Sequence, residues 1–380
     1  MRHIEQEPLS RLDRIAKARQ VALSDHSAGS SGLIEPWIEQ SWQRCMSRGL
    51  RFQDKVVFEA VSRNHMAATA EGNRQLVETA RPIIRQLARA IAQTRYFAIL
   101  TNHQGVVVDV DGAMDPSDAR VTSIARVGVD LSEESVGTTA ISAALTELRP
   151  VWLHRGEHFF KDTSVYSCAG APLFGPDGRC VGMLDLTGVE TAERPELRHL
   201  VSQSVRLIED AMVQKHPHAL MMRINWPGSP IGMGNDGLIG LDQDGQVVCA
   251  NQTARVLVPE LQKMQREELH CRDVFATPYE QLFDSAHRQQ SVEAPLWSGL
   301  RMQIQAQRPG SSAGRSQVAA QTLSGVTNVA AASTHAPGLK ELETSLIRQA
   351  VQDHKGNVAE AARALGVSRA TVYRKLKTKR

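Results

Sequence analysis

The residues best placed to do chemistry crowd the C-terminal end of this 380-residue chain, in NVAEAARALGVSRATVYRKLK (357–377). Ser368, Arg369, Thr371, Tyr373, Arg374, Lys375 and Lys377 are the side chains in question. Arginine and lysine reach guanine edges or phosphates, and threonine bonds a base edge or touches a thymine methyl. Presenting them together requires a rigid support, and the spacing provides one. Asn357 is a good N-cap, and Val358, Ala361, Ala362 and Leu365 form one apolar face at helical spacing. Gly366 supplies the positive φ of a sharp reversal. Ser368 caps a second helix that turns Val372 and Leu376 inward, and Ala362 lets the helices cross closely. This is the pattern of a helix-turn-helix whose second helix enters a major groove, so double-stranded DNA is the expected partner. Upstream, Leu339, Leu342, Leu346, Ile347 and Ala350 make a further apolar stripe. Residues 339–380 form a small unit, and the stripe predicts packing against a second copy in a homodimer.

Charge supports a polyanion partner at this end. The chain carries +3 overall. Lys355–Arg380 holds eight basic residues against Glu360 alone, a net +7, which leaves −4 on everything before it. No apolar run approaches the roughly 20 residues that span a bilayer. The N-terminus has no apolar core of a secretory signal, so a cytoplasmic protein without a membrane partner is expected. The five cysteines, Cys45, Cys168, Cys180, Cys249 and Cys271, are scattered and contain no C-x-x-C, which suits free thiols in a reducing compartment.

Two breaks divide the rest. Residues 307–338 hold no aromatic residue and are rich in Gly, Ser, Ala, Thr and Gln, which predicts a flexible linker. Prolines and glycines punctuate 215–237, and residues 216–236 are expected to form a second linker. Between them the patterns predict an α+β multidomain chain. Residues 1–70 form an N-terminal helical region. Over 71–215, a helix (Leu76–Ile91, with Pro82 a kink or late start), a hairpin (96–110 around Asn102–Gly105), a helix (136–145), a strand (151–154), a long hairpin around Pro176-Asp177-Gly178 and a closing helix (197–212) describe an antiparallel sheet with helices. Residues 237–306 start with a hairpin around Asp244-Gly245 and a short helix from Asn251.

The C-terminal segment resembles the Fis-type helix-turn-helix of bacterial enhancer-binding activators. SWQRCMSRGL (41–50), GVDLSEESVGTTAISAAL (128–145), EHFF (157–160) and SCAGAPLFGPDGRCVGMLDLTG (167–188) resemble motifs of the acetoin-catabolism-regulator branch and its GAF domain. GLIGLDQDGQVVCANQTARVL (237–257) resembles the PAS-like segment that follows it. The resemblance implies a GAF-like sensor at 71–215, a PAS-like segment at 237–306, an all-α Fis-type unit at 339–380 and a small-molecule effector. It also implies a pocket between the sheet and its crossing loops, for which Trp152, His154, His158, Phe160, Tyr166, Cys168 and Asp185 are the candidates. Phe159 and Phe160 also read as plain core. Asp185, in an apolar strand, either points into the pocket or closes a backbone turn. Thr139 stands where the branch usually has Asn.

The departure from that branch concerns the middle of the chain. The ATPase of its full-length members would sit between the sensor and the DNA-binding unit, where this sequence has the 307–338 linker and no G-x-x-x-x-G-K-[ST]. A regulator without ATPase activity of its own is therefore expected, acting by occupying DNA, contacting RNA polymerase or pairing with a full-length AAA+ relative. No cofactor and no metal is expected. His154 and His158 would pair on a metal only if they lay on one helix, and this stretch reads as strand and loop. Two other readings compete: a thiol-dependent GAF-type enzyme using Cys168 and Cys180 on the arms of one hairpin, and a DNA-binding scaffold whose GAF domain only dimerises. No acid–base pair or catalytic triad stands out, so a non-enzyme is expected.

Overall fold

The computed structural model describes residues 9–24, 31–58, 61–288, 290–309 and 358. The expected helix-turn-helix and nearly all of the 307–338 linker lie outside the described residues. The chain divides into two compact units, Met1–Ser311 and Ser312–Arg380. The first contains two five-stranded antiparallel sheets.

In chain order the first part runs α1 (Arg11–Ser24), α2 (Pro36–Ser47), α3 (Arg63–Gly72), α4 (Arg74–Ile91), β1 (Tyr96–Asn102), β2 (Val107–Gly112), α5 (Ala119–Ile124), α6 (Glu133–Val136), α7 (Ala140–Glu147), β3 (Val151–His154), β4 (Tyr166–Phe174), β5 (Cys180–Val189) and α8 (Leu197–Lys215). The strand order is β2-β1-β5-β4-β3. Period-two alternation gives the sheet two apolar faces. Tyr96, Ala98, Leu100, Ala169, Leu184 and Leu186 face one core with Val77, Ile84, Val201 and Ile208 of α4 and α8. Phe97, Ile99, Tyr166, Cys168 and Met183 face the other, under α2, α5 and α7. Pro82 lies inside α4, which continues through it. The helix expected over 136–145 is broken: Gly137 takes φ +65°, and Thr139 then caps α7 with a reciprocal bond to Ser142. A side chain at Gly137 would stand 2.9 Å from Phe159 Cβ, so both φ and space require glycine there.

The N-terminal helices belong to this domain's core. Trp37, Ile38, Trp42 and Cys45 of α2 are buried in the cluster that covers the sheet. Trp42 Nε1 donates to Glu157 O at 2.9 Å, and the Trp42 and Phe52 rings meet edge to face at 5.6 Å. Arg19 of α1 lies over both rings and donates to the carbonyls of Gly156 (2.7 Å), His158 and Phe159 (2.9 Å).

The second sheet contains β6 (Leu220–Asn225), β7 (Gly237–Leu241), β8 (Val247–Ala250), β9 (Ser291–Pro295) and β10 (Arg301–Gln307), in the order β8-β7-β6-β10-β9. Two helices, α9 (Gln252–Leu257) and α10 (Tyr279–Arg288), complete it. The expected linker 216–236 is corrected here. Leu220–Asn225 is the central strand, paired with β7 on one side and β10 on the other. Its alternation was masked by MMR and by the flanking prolines. The short helix expected from Asn251 is α9, and Asn251 caps it by accepting from Ala254 N at 2.8 Å.

Candidate functional site

Between the covered face of the first sheet and α6–α7 lies a small cavity of about 30 Å³. On the scale at which one water needs roughly 10–15 Å³, it has room for a few atoms. Its walls are mostly apolar: Phe58, Ile99, Ile124, Leu131, Val136 and Ile141. A polar line crosses it, made of His158, Tyr166, Cys168, Asp185 and Thr187.

Asp185 is completely buried on β5. Its Oδ2 accepts the Thr187 hydroxyl, its Oδ1 has no partner, and burial raises its pKa to about 7. Cys168 Sγ sits 3.5 Å from Thr187 Oγ1, and burial lifts its thiol well above the usual range. His158, 1% exposed, has Nδ1 3.0 Å from Arg155 O. A carbonyl only accepts, so Nδ1 carries the proton and Nε2 is left as an acceptor. That Nε2 has no partner, and burial lowers the imidazole pKa to about 4, which keeps it neutral. Tyr166 OH is already spent, donating to Arg120 O at 2.9 Å.

The structure brings His158, Tyr166, Cys168 and Asp185 together on this cavity. It resolves the two readings of Asp185 in favour of the pocket. Phe160 sits in the same core, packed edge to face on Phe159 at 5.0 Å, but does not line the cavity. Trp152 and His154 do not join the site, contrary to expectation. They alternate with Val151 and Leu153 on β3 and face the other side of the sheet. There the two rings stack 6.4 Å apart, and His154 Nδ1 lies 2.8 Å from Ser167 Oγ. The histidine pair is thus divided between the faces. Cys168 and Cys180 are also apart. Cys168 faces Thr187 and Cys180 faces Phe174, a separation of roughly 20 Å along β4 at about 3.3 Å per residue.

Sequence reasoning missed how the cavity is closed. Glu133 in GVDLSEES accepts from Arg44 (2.8 and 3.0 Å) and Ser41 (2.5 Å) of SWQRCMSRGL, and Ser41 Oγ also meets Thr138 Oγ1 at 2.7 Å. Two motifs about 90 residues apart are therefore one hydrogen-bonded unit. Complementary charges, Arg44 and Arg48 against Glu133, were the available signal. Ser368, Arg369, Thr371, Tyr373, Arg374, Lys375 and Lys377 lie outside the described residues.

The strands flooring the cavity run on to the turn Pro176–Gly178. Pro176 O accepts from Ala250 N and from Arg255 Nη2, both at 2.9 Å, and Gly178 O accepts from Gln265 Nε2 at 2.7 Å. Arg255 is 3% exposed and also donates to Leu261 O at 2.8 Å. On the other side, Asp210 of α8 accepts from Asn251 Nδ2 at 2.7 Å. The second sheet grips the first domain at both points.

Comparison with known proteins agrees with this architecture. The family described as MimR, N-terminal domain, matches residues 14–210, and the family described as bacterial regulatory protein, Fis family, matches residues 338–378. The acetoin catabolism regulatory protein of Cupriavidus necator is 27% identical over 231 residues, covering 58% of this chain and 34% of that protein. The propane 2-monooxygenase operon transcriptional activator MimR of Mycolicibacterium smegmatis is 26% identical over 251 residues, covering 60% of this chain and 42% of the activator. The chain thus spans less than half the length of these curated relatives. Among solved structures, the Escherichia coli DhaR(N)–DhaL complex aligns with a TM-score of 0.44 and 14% identity over 72% of this chain and all of that chain. A GAF sensor protein of Burkholderia vietnamiensis aligns with a TM-score of 0.25 and 18% identity over 41% of this chain and 93% of that one. With the MimR N-terminal domain matched over half of its residues and a Fis-type helix-turn-helix matched at 338–378, the chain belongs to the MimR N-terminal-domain family of bacterial regulators.

Proposed function

We propose that the chain is a DNA-binding transcriptional regulator that senses a small neutral molecule in the cavity of its first domain. One observation carries the sensing half: two fully buried polar atoms, Asp185 Oδ1 and His158 Nε2, share a small apolar cavity and neither has a partner. Buried polar groups are nearly always satisfied, and each orphan costs about 1–3 kcal/mol. A ligand that satisfies both recovers that cost. His158 Nε2 requires a donor, so the ligand carries a hydroxyl. Asp185, with a pKa near neutrality, accepts from a hydroxyl when ionised or donates to a carbonyl when protonated. A short hydroxyketone or diol meets both demands, in keeping with the acetoin and propane 2-monooxygenase systems named for the relatives. It exceeds the space of roughly two or three waters, so its entry requires the apolar walls to move apart. The walls exclude a charged ligand by desolvation.

DNA readout belongs to the Fis-type segment. Arg374 is assigned to a base edge, while Lys377 contacts phosphate along with Arg369. The regulator acts as a homodimer on paired half-sites and has no ATPase activity of its own. The distance between Cys168 and Cys180, together with their raised thiol pKa values, disfavours a dithiol enzyme.

Operator binding by the full chain, followed by fluorescence anisotropy with and without a hydroxyketone, tests the reading as a whole. The hydroxyketone is expected to shift operator affinity at least severalfold. Arg374→Ala is expected to cost about 1–3 kcal/mol at one base position and relax preference there. Equal loss on random DNA would reassign Arg374 to the backbone. A hydroxyketone that leaves operator affinity unchanged would leave a DNA-binding scaffold.

A further inference from the structure

A larger cleft, of about 480 Å³, opens on the opposite side of β3 from the cavity. Its walls come from five separate pieces of chain: α1, residues 32–37, residues 149–152, Glu157 and the approach to and start of α8. The volume falls within the usual range of about 300–1,000 Å³ for small-molecule sites. Four arginines line it, Arg11, Arg14, Arg149 and Arg198. Arg11 is neutralised, paired with Glu157 at 2.7 Å and with Glu193. Among the described residues no carboxylate comes within ion-pair distance of the other three, and Arg149 lies instead over the Trp37 ring at 5.9 Å. Glu35 is the one lining acid that Arg11 does not use.

A second, independent feature points the same way. Trp152, 6% exposed, lines this cleft, and its buried indole N–H has no acceptor. Indole is a donor only, so whatever satisfies it supplies a lone pair. Three exposed, unpaired guanidinium groups and one residue with an orphaned N–H therefore border the same open cleft. Guanidinium suits oxyanions because its planar fork bonds two oxygens at once.

We propose that this cleft is a second ligand site, separate from the neutral cavity, that takes a small organic oxyanion. The carboxylate or phosphate group lies among Arg14, Arg149 and Arg198, and one oxygen takes the Trp152 N–H once the side chains that seal it shift aside. A bound anion ties α1 and the α2 approach to β3 and α8, and so tightens the N-terminal cover that closes the cavity on the other face. Anion binding is thereby expected to act on the same domain as the neutral ligand without competing for its place.

The test is calorimetric titration of the full chain with succinate and, separately, inorganic phosphate, at ionic strength held constant with chloride. Succinamide is the uncharged comparison. Saturable binding of succinate locates the preference in carboxylates, and of phosphate in phosphoryl groups. Arg149→Gln and Arg198→Gln are each expected to weaken binding about tenfold, as for a hydrogen bond to a charged group. Trp152→Phe is expected to weaken it severalfold. Arg85→Gln, an exposed charge elsewhere on α4, is expected to leave it unchanged. Should the strand substitution disturb folding, Arg14→Gln on exposed α1 reads the same site. The proposal is overturned if neither anion binds, if succinamide matches succinate, or if Arg85→Gln weakens binding as much as Arg149→Gln.

Discussion

The two sheets of the first unit share a strand number, an antiparallel topology and helical covers, yet they treat polar groups in opposite ways. The core of the second sheet is built from Leu220, Met222, Ile224, Ile239, Phe275, Met302 and Ile304, and the buried Asp236, Asn251 and Ser285 beside it all have hydrogen-bond partners. Its unpartnered buried atoms among the described residues are Gln246 Oε1 and Arg255 Nε, and the other two nitrogens of that guanidinium are bonded. The first sheet places an aspartate, a histidine and a thiol on its covered face and leaves two of their atoms unpaired. The second closes its core with its own helices, whereas the first adds to its own helices α2, from a segment ahead of the domain in sequence. A well-packed sheet suits transmission, and a sheet with unmet polar demand under a separate cover suits reception. Fold similarity alone would not separate those roles; the placement of unpaired atoms supports the proposed assignment of reception to the first sheet.

The largest expected effect comes from removing the separate cover. Trp42→Ala empties the centre of the α2 contact and is expected to cost about 3–5 kcal/mol in the first domain, measured by chemical denaturation. Hydrogen-exchange protection of β6 and β7 should survive longer than that of β1 and β5. Equal loss in both sheets would show that the cover serves the whole unit.

Next is Asp185→Asn. The folded pKa of about 7 lies above the ordinary value of 3.8, so the folded state holds a proton that the unfolded state has released. This group's contribution is intact below about pH 4 and is lost as pH rises through 7, for a total on the order of 4 kcal/mol. Without ligand, the variant is expected to be more stable than the parent at pH 8 and to gain nothing at pH 4. A pH-independent difference would mean that Asp185 is not the titrating orphan. His158 works in the other direction: its pKa is lowered to about 4, so its contribution is lost as pH falls below 6.5.

A smaller effect is expected at the joint between the sheets. Arg255→Met leaves Pro176 O and Leu261 O without this donor, a cost of about 1–3 kcal/mol. It should also split one calorimetric transition into two, because the β4–β5 turn is then held only by Ala250 N on Pro176 O and Gln265 Nε2 on Gly178 O. A single undivided transition would assign the coupling to Asp210–Asn251 instead.

Much of this was legible in the sequence because hydrophobic periodicity and turn residues are local signals. The hairpin at Pro176–Gly178, the strand at 151–154 and the short helix from Asn251 are read directly. Strand β6 is not, since prolines on both sides imitate a linker and its partner β10 lies about 80 residues away. Within the site, Asp185 and Cys168 were found because polar residues inside apolar strands stand out. Trp152 and His154 were wrongly grouped with them, because residue type identifies a candidate but only strand parity decides its face. The Glu133–Arg44 lock was illegible one motif at a time, since neither charge is unusual until the two segments meet.

The most direct test is calorimetric titration of the full chain with 3-hydroxybutan-2-one and with butan-2-one, which lacks the hydroxyl, at pH 7. The account predicts saturable binding of the hydroxyketone, at least about tenfold tighter than the ketone, because His158 Nε2 needs a donor. It also predicts loss of that preference in His158→Phe and Asp185→Leu proteins that retain the parent circular dichroism. Indifference to the hydroxyl, or binding that survives both substitutions, would contradict the assignment of the cavity as the sensor.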